Sequence, residues 1–336
     1  MIFNCFGESF YVWLSANTWL SQIVVCVYPW WMALLFSLAG ISTKYALKRR
    51  STGEYAKERV MKLLIPFVFG LLIVIPPQSY IADVFHNGYS GGYFEHYGYF
   101  FTHLTDLTGN DGAFTPGHLW FILYLFIITM VLLPLTAWYS KREKKPDMGK
   151  INFILLIIGG FIFISLMTLL ADIGGKSLGD FTACFLLGFF ILSDDNVLAK
   201  LKKYALHLGI AWAVLLLLRL TLGIMYYGHQ VSFPVLAWDF SYKMLEWVGI
   251  LAALGLGARF LNFGGRFTSY FAPAAFPLYY LHQTVLIVVA FFLAKLTTET
   301  VPFYIITVFG SFVLTVAVYE LFRRTPVTRF MFGIKK

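Results

Sequence analysis

Apolar runs long enough to cross a bilayer return along almost the whole chain, and they leave few alternatives for its fold. A helix needs roughly 20 apolar residues to span about 30 Å of hydrocarbon. Such runs stand at about 22–43, 61–82, 118–139, 151–172, 205–227, 240–260, 273–295 and 302–322. A shorter ninth, about 177–193, opens with Asp180. Pro66, Pro134 and Pro277 fall inside or at the mouth of these runs, where membrane helices tolerate proline better than soluble ones do. Composition agrees: 59% of the 336 residues are hydrophobic and 13% are charged, against about 25% charged in soluble domains. The pattern predicts an all-α, polytopic membrane protein with about nine transmembrane helices. It forms one domain over residues 1–336, with no internal repeat and no soluble domain.

The basic residues test that list independently. Lys44, Lys48, Arg49, Arg50, Lys57, Arg59 and Lys62 stand between the first two runs, and about 83–117 carries neither Lys nor Arg. Lys141, Arg142, Lys144, Lys145 and Lys150 follow the third run, and Lys200, Lys202 and Lys203 follow the short one. Arg259 and Arg266, then Arg323, Arg324, Arg329, Lys335 and Lys336, complete the pattern. With the short run kept as a span, 22 of the 26 Lys and Arg fall on one side. The positive-inside rule makes that side the cytoplasm, so the chain as written starts outside and ends inside the cell membrane. The net charge of +9 is therefore a topology signal, and no nucleic-acid partner is implied.

Cys5, Cys26 and Cys184 match no metal motif and fall near one face of the membrane. The N-terminus has no basic region and no small-residue cleavage site of the kind a signal peptide carries. Gly264-Gly265 is not a phosphate loop, because no strand precedes it and no Lys-Ser/Thr follows.

Polar groups inside a membrane are costly and mark candidate sites. Arg219 and Glu246 sit at similar depth on consecutive antiparallel runs, so an ion pair between them is predicted, either as a structural lock or as part of a substrate site. His282 lies near mid-membrane beside Gln283, with Tyr279 and Tyr280 close by, and is either a packing residue or a pocket residue. His118 and Trp120 open the third run at the outer face, as an aromatic belt or as part of a pocket. Arg59 and Lys62, three apart, share a helical face at the cytoplasmic mouth. They are topology markers or an anion-holding pair. The loop at 83–117, rich in aromatics and glycine, is an interfacial cap or a surface for stacking sugar rings.

Four stretches resemble acyltransferase family 3 in order and spacing. They are Trp30-Trp31-Met32 running into LLFSLAGISTKYALKRR, then EYAKERVMKLLIPFVFG, then His118-Leu119-Trp120-Phe121, then FPLYYLHQTVLIV around His282. The likeness covers about residues 20–325 and leans toward the glucan succinyltransferase-like branch. It implies a membrane acyltransferase, of the class that transfers groups other than amino-acyl groups. A short acyl group, acetyl or succinyl, would pass from acyl-coenzyme A, as co-substrate, to a hydroxyl of an extracytoplasmic carbohydrate. No bound cofactor or metal is implied. The resemblance assigns Arg59 and Lys62, with Lys in place of the family's second Arg, to the phosphates of the coenzyme. It supports the pocket reading of His118, Trp120, Tyr279 and His282, and Arg219 and Glu246 join the candidate pocket as polar groups inside the membrane.

The family core has ten helices, and its first carries an Arg and, about ten residues on, a His thought to be the catalytic base. MIFNCFGESFYVW resembles the segment after that helix. The chain is therefore expected either to begin at an internal methionine of a longer gene or to be a degenerate, inactive relative. A secondary transporter or flippase is the competing class, and the inverted repeats it would call for are not found in the sequence.

Overall fold

The structure is a computed structural model, and it describes residues 10–14, 18–109, 111–144, 146–170, 172–173, 175–228, 235–261 and 263–334. Cys5, the side chain of Cys26 and Lys145 lie outside the described residues. Helices dominate what is described. The strands form one antiparallel ribbon, Asp172–Ile173 paired with Lys176–Ser177.

Each of the nine apolar runs falls on a helix. Among the described residues, four helices are long and apolar enough to cross a membrane: Thr52–His86, Ala205–Gly223, Arg266–Leu293 and Thr300–Phe322. The number reaches six when two bent pairs each count as one span. These are Gly117–Val131 with Leu133–Ser140, bent by 54°, and Leu178–Leu192 with Asp195–Lys203, bent by 97°. The other three runs differ for separate reasons: in Thr18–Leu47 the side chains before Val27 lie outside the described residues. Phe153–Met167 is apolar but has 15 residues. Val235–Phe260 carries Asp239, Lys243, Glu246 and Arg259.

The chain packs as two compact units. The first comprises Met1–Ser21, Lys57–Phe126 and Gly264–Lys336. Arg266–Leu293 and Thr300–Phe322 form its helical hairpin. One cluster of its core joins Tyr11, Val12, Ile81, Ala82, Ile287, Ala290, Phe303 and Tyr304. Proline shapes the helix that this unit takes from Thr52–His86. Proline has no N–H to donate and crowds the carbonyl four residues back. The turns before Pro66 and Pro76 widen accordingly, with N–H groups reaching back five residues, from Ile65 to Val60 and from Ile75 to Gly70 at 2.9 Å. The Gln78 N–H goes to the Ile75 carbonyl at 2.9 Å, so the Val74 carbonyl is served by side chains. Thr284 Oγ1 donates to it at 2.8 Å and Gln78 Nε2 at 3.3 Å. Such wide turns often accompany functional sites.

The polar end of this unit is a folded cap. The helix Tyr93–Thr102 buries His96 against Asp83, with Nε2 3.3 Å from Oδ2. Gly112 (φ +81°) closes over that pair: a Cβ there would lie 2.7 Å from Asp83 and 2.8 Å from His96. Only glycine accepts both the left-handed backbone and that approach. Tyr80, Tyr89 and Tyr99 ring His96 at 5.3–5.7 Å between centroids.

The second unit comprises Gln22–Ala56 and Ile127–Phe263. Ala205–Gly228 and Val235–Phe260 form its main hairpin. The helix Thr18–Leu47 crosses Leu178–Leu192 at small residues, where a Cβ on Gly40 would lie 2.1 Å from the Phe185 carbonyl oxygen. Close backbone approach at small residues is the usual packing solution inside a membrane. Trp247 is fully buried, donates to the Leu156 carbonyl at 3.3 Å and packs on Gly160. Asp194 caps Asp195–Lys203 by accepting from the Asn196 and Val197 N–H groups, which ends the short span and turns the chain aside.

Candidate functional site

Two groups of buried polar side chains stand out, one in each unit. In the first unit, the chain entering at Gly117–Leu119 places His118 beside the helix Arg266–Leu293. His118 Nε2 lies 2.9 Å from the Tyr280 carbonyl. A carbonyl can only accept, so Nε2 carries the proton, and Nδ1 faces Gln78 Nε2 at 3.5 Å as acceptor. Gln78 is fully buried; it donates to Thr284 Oγ1 at 2.6 Å and accepts from Gln283 Nε2 at 3.1 Å. Tyr279 donates its hydroxyl to the His118 carbonyl. Tyr280 donates to the Pro66 carbonyl at 2.8 Å, beside Gly70, where no side chain would fit between them.

His282 completes the group. Its ring lies 5.2 Å from that of His118 and 5.6 Å from that of Tyr279. Its Nδ1 faces the Tyr279 carbonyl at 2.5 Å, which puts the proton on Nδ1 and leaves a lone pair on Nε2. No described residue hydrogen-bonds that nitrogen, and His282 is half-buried. The arrangement thus holds one imidazole locked in a network and a second presenting a basic nitrogen.

His118, Tyr279 and His282, picked out in the sequence, therefore come together in one place. Trp120 stands half-buried two residues on from His118, edge-on to Tyr124 at 5.3 Å. Tyr280 and Gln283, noted beside His282 in the sequence, join the group, while Gln78 and Thr284 were missed. The signal for Gln78 was a polar residue directly after Pro76-Pro77 in an apolar run. Arg59 and Lys62 stand at the start of the same unit's long helix, where Lys62 pairs with Glu58 one turn earlier. The wide turn Val60–Leu64 begins between them, so the simple three-residue spacing does not fix their common face.

In the second unit, the predicted pair of Arg219 and Glu246 is not formed. Glu246 Oε2 is paired with Lys243 at 2.8 Å, and Lys243 also reaches Asp180 Oδ2 at 2.6 Å. The Arg219 guanidinium turns to the Trp238 carbonyl at 2.8 Å and Ser241 Oγ at 3.1 Å, and lies 3.2 Å over the Trp238 ring. The reason is proximity on one helix: Lys243 is three residues before Glu246 and shares its face. That spacing was the available signal. Cys184 is buried and free, 3.7 Å from Glu246 Oε1. Donor atoms of Asp180, Cys184 and Glu246 lie within 4.8 Å of one another. The Lys243 ammonium already supplies the positive charge that such a set of acids would seek in a metal ion.

Comparison with known proteins places the chain in a family. Residues 2–320 match the model described as an acyltransferase domain. Among curated proteins, glucans biosynthesis protein C of Salmonella schwarzengrund (strain CVM19633) is 24% identical over 355 residues, covering 96% of this chain and 86% of that protein. The proteins of the same name from Salmonella typhi and Salmonella typhimurium (strain LT2) match over the same shares at 24% identity. No solved structure matches at a significant level. The match runs through all four motif stretches and both histidines of the site, and the chain belongs to acyltransferase family 3.

Proposed function

We propose that the protein transfers a short acyl group, acetyl or succinyl, from acyl-coenzyme A to a hydroxyl of a carbohydrate outside the cytoplasm. The observation that carries this reading is the acyltransferase match over residues 2–320, with the curated relatives named for glucan biosynthesis. The basic loops mark the cytoplasmic side of the cell membrane, where the coenzyme is available.

The reaction requires a base for the acceptor hydroxyl, and donors for the oxyanion that forms on the thioester carbonyl. Within this sequence we assign that proton to His282, a reading supported by its Nδ1 being held at the Tyr279 carbonyl with the Nε2 lone pair available. The hydroxyl oxygen attacks the thioester carbon as its proton passes to Nε2. The carbon–sulfur bond then breaks, and the departing thiolate takes that proton back. The His118 network with Gln78 and Thr284 fixes the neighbouring ring and keeps the buried polar atoms satisfied. Arg59 and Lys62 hold the coenzyme's phosphates by charge.

The test is transfer in proteoliposomes. Labelled acetyl- or succinyl-coenzyme A is supplied on the side of the basic loops and a glucan on the other. Label should appear on the glucan. Arg59→Gln and Lys62→Gln should weaken binding of the coenzyme, and the loss should narrow at high salt, where screening already weakens the wild type. A protein that moves label across the membrane without attaching it would be a transporter.

A further inference from the structure

An apolar crevice of about 470 Å³ lies in the second unit between Leu133–Ser140, Phe153–Met167 and Leu178–Leu192. Its walls are almost entirely hydrocarbon, with Leu135, Leu155, Phe163, Leu186 and Phe190 beside helix backbone left bare at Gly159. Leu135 and Leu155 are exposed at its rim, as expected of an opening toward lipid rather than water. A far smaller cavity, about 150 Å³ and lined by Leu, Ile and Phe, stays dry and takes up benzene. An unfilled crevice would also leave its lining without dispersion partners. Hydrocarbon is what this space selects.

The crevice sits at one end of its helices. Leu135 comes shortly before Lys141 and Arg142, Ile151 directly follows Lys150, and the Leu186–Ile191 wall is at the end of its helix that leads to Lys200. Lys200 holds the edge in place by donating to the Gly149 carbonyl and, at 2.8 Å, to that of Ile151. Lys141, Arg142, Lys144 and Lys150 are exposed at this end, and the Arg142 guanidinium lies 4.8 Å over the Trp138 ring. Four acidic residues stand at this end, and three are engaged. Asp147 accepts from the Gly149 N–H at 3.0 Å, Asp194 from the Asn196 and Val197 N–H groups, and Asp195 from the Tyr45 hydroxyl at 3.2 Å. That leaves Glu143 against the exposed cations. A hydrocarbon slot with a basic mouth matches one ligand class in a membrane, a lipid with an anionic headgroup.

We propose that this crevice binds one acyl chain of an anionic phospholipid from the leaflet on the basic side, with its phosphate held by Lys141, Arg142 and Lys150. The crevice shares no residue with the histidine group and does not depend on the reaction proposed above. Gly159 gives a clean test, because a Cβ there meets no atom within 4 Å. A leucine there therefore begins in open space beside the crevice, and the crevice is where its side chain has room.

The full chain is purified and exchanged into detergent with phosphatidylglycerol, phosphatidylcholine or palmitoyl-coenzyme A, and retained ligand is read by native mass spectrometry. Phosphatidylglycerol should be retained roughly tenfold over phosphatidylcholine. Gly159→Leu should abolish that retention with an unchanged melting temperature. If its melting temperature falls, Leu155→Trp fills the exposed rim instead and should give the same loss. Replacing Lys141, Arg142 and Lys150 together by Gln should erase the preference while both phospholipids still bind. Equal retention of phosphatidylglycerol by the wild type and a folded crevice-filled variant overturns the proposal. So does displacement of the phospholipid by palmitoyl-coenzyme A, which would assign the crevice to a long acyl donor.

Discussion

His118 donates from Nε2 to the main-chain carbonyl of Tyr280 at 2.9 Å, across 162 residues of sequence. That bond ties the start of one helix to the middle of another and fixes which imidazole nitrogen carries the proton. It also separates the two histidines by role, since His282 presents a lone pair and His118 does not need to.

That difference is testable by the same substitution at both positions. Glutamine at 118 can still donate to the Tyr280 carbonyl, so His118→Gln should lose less than tenfold in acyl transfer. His282→Gln keeps hydrogen bonding and approximate volume but removes the base, and transfer should fall about 10²–10⁴-fold at an unchanged melting temperature. A fully active His282→Gln would return that residue to packing and leave the base to another group.

The charged group in the second unit should show the cost of stranding a buried charge. Lys243→Met leaves Asp180 and Glu246 facing one another without a cation, and should destabilise the fold by about 3–5 kcal/mol. Combining it with Asp180→Asn and Glu246→Gln should recover much of that loss, because no uncompensated charge remains. Arg219→Met unpairs neither carboxylate and should cost less. Thermal unfolding in one detergent checks all three variants, and an Arg219→Met as damaging as Lys243→Met would contradict the pairing.

The cap should weaken on acidification. Burial pushes the His96 imidazole below its ordinary range, with Asp83 opposing the shift. A histidine depressed in the folded state contributes stability that is full above its unfolded value, about 6.5, and is lost as pH falls through the lower folded value. Hydrogen exchange of Tyr93–Thr102 should therefore speed up from about pH 7 downward, and His96→Phe should flatten that dependence. Exchange that slows on acidification in the wild type would mean that pairing with Asp83 outweighs burial.

Orientation is checked by labelling. In a cysteine-free background, Ser90→Cys and Lys176→Cys should react with an impermeant thiol reagent in intact cells. Thr52→Cys and Gly265→Cys should react after permeabilisation alone. Labelling of Thr52→Cys from outside would reverse the assignment of the basic loops to the cytoplasm.

The sequence alone determined the all-α membrane class and the position of every apolar helix, because hydrocarbon burial of a twenty-residue run depends on local composition and on nothing distant. It also marked His118, Tyr279, His282, Arg219 and Glu246, since a polar side chain in an apolar run is visible without knowing its neighbours. Partners were another matter. Glu246 had two cations within reach of a plausible hairpin, and helical phase, which puts Lys243 on its face, decided between them. The gathering of Gln78 and Thr284 around His118 depended on the Val74 carbonyl being left open, because the Gln78 N–H after Pro76-Pro77 turns to the Ile75 carbonyl instead. A crevice lined by leucine, phenylalanine and glycine has no polar residue to announce it, so tertiary packing alone decided that it exists.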